Sequence, residues 1–310
     1  MIISQIPKKT AIKEDRRTHM TQDAFLKQYD SSQYEKPSVT VDMVVFTLGQ
    51  YESKDIRKND ERSLRILLIQ RGAQPYMGCW ALPGGFVHMD ESLEEAAYRE
   101  LKEETNVQEA YLEQLYTFGE VHRDPRLRVI SCAYMSLVKE ELVSIQAASD
   151  AADAKWFDLS YRLIEEYKNL SRRERVYQLV LTHQEIELRL RVKEVTEIIG
   201  YRRTNKIEVM DQNVLAFDHG EILARGIMRL RNKVEYEDLA FHLMPEKFSL
   251  TDLQKVYEII LDKELLKANF RRKILPMVTQ TNEVVTNQGF RPSQLYVYKG
   301  YGKEGNVCLD

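Results

Sequence analysis

The chain has 310 residues, of which 43% are hydrophobic and 30% are charged, and its net charge at pH 7 is -3. This composition excludes a wholly disordered or collagen-like chain, and the charge excludes a uniformly basic nucleic-acid-binding protein. The 3 cysteines lack CxxC spacing, and the apolar runs are far shorter than the ~20 residues of a membrane span. We therefore expect a soluble, cytoplasmic protein without a zinc module or membrane attachment.

The first half of the chain predicts an arm followed by a mixed domain. Residues 1–37 are polar, and we expect only a short helix within them at residues 22–29. Runs of β-branched and aromatic residues predict strands at residues 39–46, 65–70, 115–118, 129–137 and 154–157. A capping signal and an apolar stripe predict a helix over residues 92–104. These elements favour an α/β or α+β domain over residues 38–160.

The second half has a different pattern. We interpret residues 161–214 as an insertion, with a helix at residues 161–170 and a β-hairpin formed by residues 177–181 and 186–192. Residues 215–310 predict helices at 217–232, 251–261 and 265–275, followed by strand-like runs around a turn at 287–289. This order is typical of a helix–turn–helix with a wing.

The central helix carries a cluster of carboxylates. Ser92 and Glu95 have capping-box spacing, so the helix should begin there. Glu100, Glu103 and Glu104 are spaced i, i+3 and i+4, which places them on one edge of the helix. Hard oxygen ligands at this density suit Mg²⁺ or Mn²⁺, although a solvated acidic face is the alternative.

The segment over residues 85–107 resembles the Nudix box, G-x5-E-x7-R-E-U-x-E-E-x-G-U, in which U is aliphatic. The matching positions are Gly85, Glu91, Arg99, Glu100, Leu101, Glu103, Glu104 and Val107. The one departure is Asn106 in place of glycine. This position follows the helix, where a positive φ is wanted, and Asn tolerates that conformation better than residues other than glycine.

The resemblance implies a Nudix α/β/α sandwich that hydrolyses a nucleoside diphosphate linked to another moiety. It also implies a divalent metal, Mg²⁺ or Mn²⁺, held by Gly85, Glu100, Glu103 and Glu104. The three glutamates would be the catalytic residues, because the metals they hold polarise the diphosphate and activate water. Glu91 and Arg99 would be structural, and the general base stays unassigned.

The segments that flank the box resemble ADP-ribose-type Nudix domains. They carry Arg71, Arg123 and Arg126, which we expect to bind substrate by neutralising a diphosphate. For the loop over residues 120–126, a solvated turn is the alternative.

The C-terminal segment is locally basic, with eight lysines and arginines against two glutamates between residues 263 and 303. It resembles the winged helix of the Nudix-related transcriptional regulators, which implies a double-stranded DNA operator and a homodimer that matches a palindromic site. The expected DNA-binding residues are Lys267, Asn269, Arg271, Arg272, Lys273 and Arg291. A helical accessory domain with a solvated basic face is the alternative.

Together, these patterns predict a Mg²⁺-dependent pyrophosphohydrolase that acts on ADP-ribose or a related nucleotide sugar and is coupled to DNA binding. The alternative is a non-catalytic, ligand-sensing repressor of genes for NAD or sugar metabolism. A third interpretation is a hydrolase whose C-terminal domain only mediates assembly. The box retains all its glutamates, which favours catalysis.

Overall fold

The computed structural model describes residues 21–51, 61–107, 110–139, 143, 151–211, 214–285 and 292–302. The chain forms two compact units, Met1–Lys36 and Pro37–Asp310. The first unit contains the predicted short helix, α1 (Gln22–Gln28), which begins where the Thr21 side chain accepts a hydrogen bond from the Ala24 N–H.

The second unit is built on a large mixed sheet. Within the described segments its strands are β1 (Ser38–Tyr51), β2 (Glu61–Arg71), β3 (Trp80–Ala81), β4 (Gly84–Phe86), β5 (Tyr111–Phe118), β6 (Val129–Leu137), β7 (Ala151–Lys168), β8 (Arg172–His183), β9 (Ile186–Ile199) and β10 (Arg202–Val209). The order is β10-β9-β8-β7-β2-β1-β6-β5, with β3 on β2 and β4 on β1. The β1–β6 pair is parallel; β6 has the predicted bounds, whereas β1 extends beyond the predicted residues 39–46 to Tyr51.

Two helices, α2 (Leu93–Thr105) and α3 (His219–Val234), cover the two faces of the sheet. Because side chains alternate along a strand, Met43 and Val45 of β1 pack with the apolar side of α2, whereas Val44 packs in the cluster that contains α3. A Cβ at Gly226 of α3 would lie 2.8 Å from Val44 Cγ1, so glycine allows this close approach. The result is the expected α/β/α sandwich.

The predicted helix at residues 161–170 is wrong, because these residues continue strand β7. The first half of β7 pairs with β2 and the second half with β8. A bulge between Leu163 and Glu165 interrupts the two-residue alternation, which explains the misleading local pattern. The predicted boundary at residue 160 therefore falls inside a strand, whereas the predicted hairpin is confirmed as β8–β9.

The C-terminal part forms the expected winged helix. After α3 come β11 (Lys247–Ser249), α4 (Leu250–Leu261), α5 (Lys267–Ile274), β12 (Val278–Val285) and β13 (Ser293–Tyr298). The three strands pair in the order β11-β13-β12. The N-cap of α4 is Ser249, two residues before the predicted start of the helix at residue 251, and its side chain accepts from the Asp252 N–H. The predicted turn at 287–289 lies outside the described residues.

None of the helices in the described segments combines the length and the hydropathy that a bilayer crossing requires.

Candidate functional site

Strand β4 places the loop of the box beside its helix. Gly85 pairs with Val41 of β1, which fixes the loop on the sheet. A Cβ at Gly85 would lie only 2.2 Å from Glu100 Oε1 and 2.9 Å from its carboxyl carbon. Glycine at this position therefore leaves the space into which the Glu100 carboxylate fits.

The ends of α2 follow from local sequence. The Ser92 side chain accepts from the Glu95 N–H and the Glu95 carboxylate accepts from the Ser92 N–H, which confirms the predicted capping box. Asn106 ends the helix in the left-handed conformation, with φ 57, and its N–H donates to the Lys102 carbonyl at 2.8 Å. The single departure from the motif thus satisfies the backbone requirement of that position.

Arg99 joins the loop to the helix. Its Nε and Nη2 donate to the Glu91 carboxylate at 3.0 and 2.7 Å, and its Nη1 donates to Glu100 Oε1 at 2.6 Å. Nη2 also donates to the Phe86 carbonyl at 3.2 Å. The hydrogen bonds from Arg99, followed by that from the His88 N–H, lower the pKa of Glu91 to about 2. Glu91 is therefore ionised at all ordinary pH values and holds the loop closed.

The three predicted metal ligands differ in exposure. Glu104 and Glu100 are buried, with 2% and 7% of their surface exposed, whereas the Glu103 side chain is 50% exposed. Within the described segments, no three acidic, histidine or cysteine side chains form a ready cluster for a metal ion. The donor set nevertheless fits Mg²⁺, since the absence of a side chain at Gly85 lets the hard carboxylate oxygens of Glu100 lie directly beside the Gly85 backbone.

Two of the predicted substrate-binding arginines flank an aromatic pair. The rings of Tyr76 and Phe217 lie 4.7 Å apart, and the Arg71 guanidinium lies 5.0 Å from the Phe217 ring centroid. Arg126 lies 6.0 Å from the same centroid and is paired with Asp124 at 2.8 Å. This arrangement places positive charge and flat apolar surface together, as a nucleotide requires.

The third predicted arginine, Arg123, lies in a different environment. Its side chain is only 5% exposed and donates to Asp218 at 2.8 and 2.6 Å and to Asp42 at 3.1 Å. Burial alone lowers its pKa, but the hydrogen bonds to Asp218 and the charge of Asp42 reverse this effect and leave the pKa raised. The guanidinium is thus enclosed by two carboxylates rather than presented to a ligand.

Sequence reasoning missed a buried polar network behind the box loop. His219 Nδ1 accepts from the Leu82 N–H at 2.8 Å, and its Nε2 lies 3.6 Å from Asp42 Oδ1. The Ser131 hydroxyl donates to the other Asp42 oxygen at 2.5 Å. Burial lowers the pKa of His219, so the ring is neutral at pH 7. The sequence contained one indication of this network, the carboxylate of Asp42 within an otherwise apolar predicted strand.

Beside the aromatic pair lies a cavity of about 600 Å³, within the size range of small-molecule sites. It opens between strands β9 and β10 and the N-terminal end of α3. Its lining includes Tyr76, Leu190, Ile207, Phe217, Glu221 and Arg225. The segment interpreted as an insertion therefore forms one wall of a pocket, which the sequence did not predict.

Helix α5 separates an apolar face from a basic face. Phe270 and Ile274 are buried, whereas the other residues of the helix are exposed. The side chains of α5 expected to bind DNA are all exposed: Lys267, Asn269, Arg271, Arg272 and Lys273. Lys273 differs from the others because it donates to the Glu235 carbonyl at 2.6 Å, and partial burial lowers its pKa. Arg291 lies outside the described residues.

Two family models match the chain. The NUDIX domain matches residues 56–179, and the NrtR DNA-binding winged helix domain matches residues 240–298.

The proteins to which the chain is similar agree with these two family models. The chain is 33% identical over 279 residues to the ADPR responsive transcriptional repressor NtrR of Acinetobacter baylyi, which covers 89% of this chain and 88% of the relative. It is 43% identical over 101 residues to an ADP-ribose pyrophosphatase of Methanocaldococcus jannaschii, covering 32% of this chain and 58% of the relative. The crystal structure of Shewanella oneidensis NrtR complexed with a 27mer DNA superposes with a TM-score of 0.57 and 30% identity, covering 84% of this chain and 93% of that one.

Proposed function

The chain belongs to the NrtR family of Nudix-related transcriptional regulators, and on this premise we propose that it binds ADP-ribose, hydrolyses it with Mg²⁺ and binds a DNA operator. The observation that carries the proposal is a Nudix box that retains all its glutamates in one compact unit with a winged helix. A related nucleotide sugar fits the same site, because the diphosphate and nucleoside are shared.

The residues that would hold Mg²⁺ are the Gly85 backbone and the side chains of Glu100, Glu103 and Glu104. When bound, the cation polarises the diphosphate and lowers the pKa of a coordinated water. Arg99 fixes the Glu100 carboxylate against the loop, as its 2.6 Å contact supports. The other side chains around the box would bind the nucleotide and orient its diphosphate.

Arg71 and Arg126 are the side chains proposed to neutralise the diphosphate. Both guanidinium groups lie close to the Phe217 ring, at 5.0 and 6.0 Å. A diphosphate between two such groups gains charge-assisted hydrogen bonds, and a nucleobase gains a flat partner in Phe217 or Tyr76. Arg123 is not proposed for this role, because its side chain is only 5% exposed between Asp42 and Asp218, whereas Arg126 is paired with Asp124 but 41% exposed.

The exposed side of α5 is proposed to contact DNA. Lys267, Arg271 and Arg272 would neutralise phosphates, and Asn269 has the side chain that pairs with an adenine edge. A symmetric homodimer would present two such helices to a palindromic operator.

The second candidate is a repressor that senses the nucleotide without hydrolysing it. The observation that favours this alternative is that the A. baylyi relative, whose match covers 89% of this chain, is named as a repressor rather than as a hydrolase.

Release of AMP from ADP-ribose with Mg²⁺ separates the two candidates. The matched variants are Glu103→Gln, at the proposed ligand, and Glu94→Gln, at an exposed glutamate in the first turn of the same helix. Turnover in the wild type and in Glu94→Gln that is lost in Glu103→Gln supports the enzyme. Binding of ADP-ribose without turnover supports the sensor, and absence of both contradicts the proposal.

A further inference from the structure

The N-terminal end of α3 is attached to the loop that leads into the Nudix box. His219, the first residue of α3, accepts the Leu82 N–H at 2.8 Å, and Leu82 lies three residues before Gly85. Because Nδ1 accepts this bond, the proton of the neutral ring is on Nε2, which faces Asp42 at 3.6 Å. Both Leu82 and His219 are buried, so water does not replace this contact.

A second set of contacts holds the same junction. Asp218, the residue before α3, shares the Arg123 guanidinium with Asp42 of β1. The Ala216 N–H donates to the Trp80 carbonyl at 2.9 Å. The segment over residues 80–85 is therefore joined to the start of α3 by two hydrogen bonds of its backbone, while Arg123 joins the same end of α3 to β1, so a displacement of the segment displaces the helix.

The middle of α3 lies on the sheet as a rigid element. It has 16 residues, which correspond to ~24 Å at 1.5 Å per residue. Gly226 packs against Val44, while Arg229 and Lys233 bind Glu113 at 2.5 and 2.7 Å. A packed helix of this kind moves as a unit rather than bending.

The C-terminal end of α3 is attached to the winged helix. The residue that follows it, Glu235, accepts from Lys273 of α5 through its carbonyl at 2.6 Å and pairs with Lys263 through its carboxylate at 2.7 Å. Arg231 donates to the Ile260 carbonyl of α4 at 2.9 Å. The helix proposed to read DNA is thus bonded directly to the end of α3.

We propose that α3 couples the nucleotide site to the DNA-binding helix, with His219 as the positioning residue at one end and Lys273 at the other. The inference rests on the proposed function, since it requires that ADP-ribose and DNA both bind. A diphosphate bound beside residues 82–85 changes the affinity for DNA only if the conformation of these residues differs between the free and the nucleotide-bound protein. His219 transmits that difference to α3, and Glu235 transmits it to Lys273.

The test measures how α,β-methylene ADP-ribose with Mg²⁺ changes the Kd of the full-length protein for a duplex that the wild type selects from random DNA. The methylene bridge prevents hydrolysis of the diphosphate. In the wild type we expect a change of about tenfold or more, within the usual range of coupling between two sites. In His219→Ala and in Lys273→Met we expect a change of less than about twofold, although the analogue still binds.

Three controls isolate the coupling from a general loss of structure. His219→Asn retains an acceptor for the Leu82 N–H and should restore the response. His183→Ala removes another histidine whose Nδ1 contacts the backbone, here the Trp156 carbonyl oxygen at 2.8 Å, and should keep the full response. Lys267→Met, on the exposed face of α5, should weaken DNA binding equally with and without the analogue.

Full responses in folded His219→Ala and Lys273→Met overturn the coupling while leaving the proposed function intact. If His219→Ala does not fold, Lys273→Met decides the matter alone, because Lys273 is at the surface. A wild-type protein whose DNA affinity ignores a bound analogue overturns the coupling, whereas a wild-type protein that binds neither the analogue nor DNA contradicts the proposed function.

Discussion

Replacement of Arg123 by methionine should destabilise the whole second unit rather than merely weaken substrate binding. The substitution keeps much of the side-chain volume but leaves Asp42 and Asp218, with side-chain exposures of 9% and 19%, without their shared cation. Breaking a buried ion pair by removing one partner costs about 3–5 kcal/mol. We expect a loss in the free energy of unfolding within this range at pH 7.

The assay is urea unfolding followed by fluorescence and circular dichroism, with Arg189→Met as the matched control. Arg189 is 62% exposed and its partner Glu187 is 46% exposed, so the loss of this pair should leave the free energy of unfolding almost unchanged. The double variant Arg123→Met, Asp218→Asn should recover part of the stability, because one buried charge is removed with its partner. A loss below about 1 kcal/mol in Arg123→Met refutes the assignment of a structural role.

Three further predictions concern the box and the DNA-binding helix. Asn106→Ala should lower the free energy of unfolding by about 1–2 kcal/mol, because alanine tolerates φ 57 poorly, whereas Asn106→Gly should not; thermal or urea unfolding compares them. The pKa of Glu91 is about 2 when folded against a usual value of 4.5, so its contribution to stability is complete above about pH 4.5 and is lost as the pH falls towards 2. An acid titration of stability should show that loss in the wild type and not in Glu91→Gln. Arg271→Glu with Arg272→Glu should abolish DNA binding measured by fluorescence anisotropy and leave ADP-ribose binding unchanged; retained DNA binding would contradict the assignment of these side chains as the DNA contact.

The box helix could be predicted closely because its determinants are local. Ser92 and Glu95 lie in one turn, and the αL position of Asn106 directly follows the last helical residues. Strand β6 has the predicted bounds, since its nine residues form one apolar run between polar segments.

The remaining architecture depends on contacts between distant residues. The helix predicted at residues 161–170 is a strand because β2 and β8 supply its hydrogen bonds, and no local pattern reports on those partners. The contact between Leu82 and His219 spans 137 residues. The place of α3 as the second layer of the sandwich was likewise not visible from its own sequence.

The basic residues illustrate the same limit. Arg123 and Arg126 are three residues apart, and neither pattern nor composition distinguishes them. In the structure Arg123 is enclosed by carboxylates, whereas Arg126 is partly exposed. Lys273 belongs to the same basic run as Arg271 and Arg272, but its ammonium group binds Glu235. A charge pattern predicts a surface, whereas the role of each side chain depends on which partners the fold places beside it.

The most direct test of the account follows the complex with DNA over time after addition of ADP-ribose and Mg²⁺, while AMP is measured in the same sample. The account predicts that the fraction of bound DNA changes at once and returns to its initial value as AMP accumulates. In Glu103→Gln the change should persist wherever the nucleotide still binds. A DNA complex that does not respond to ADP-ribose, or a wild-type response that persists without release of AMP, would contradict the coupling of hydrolysis to DNA binding.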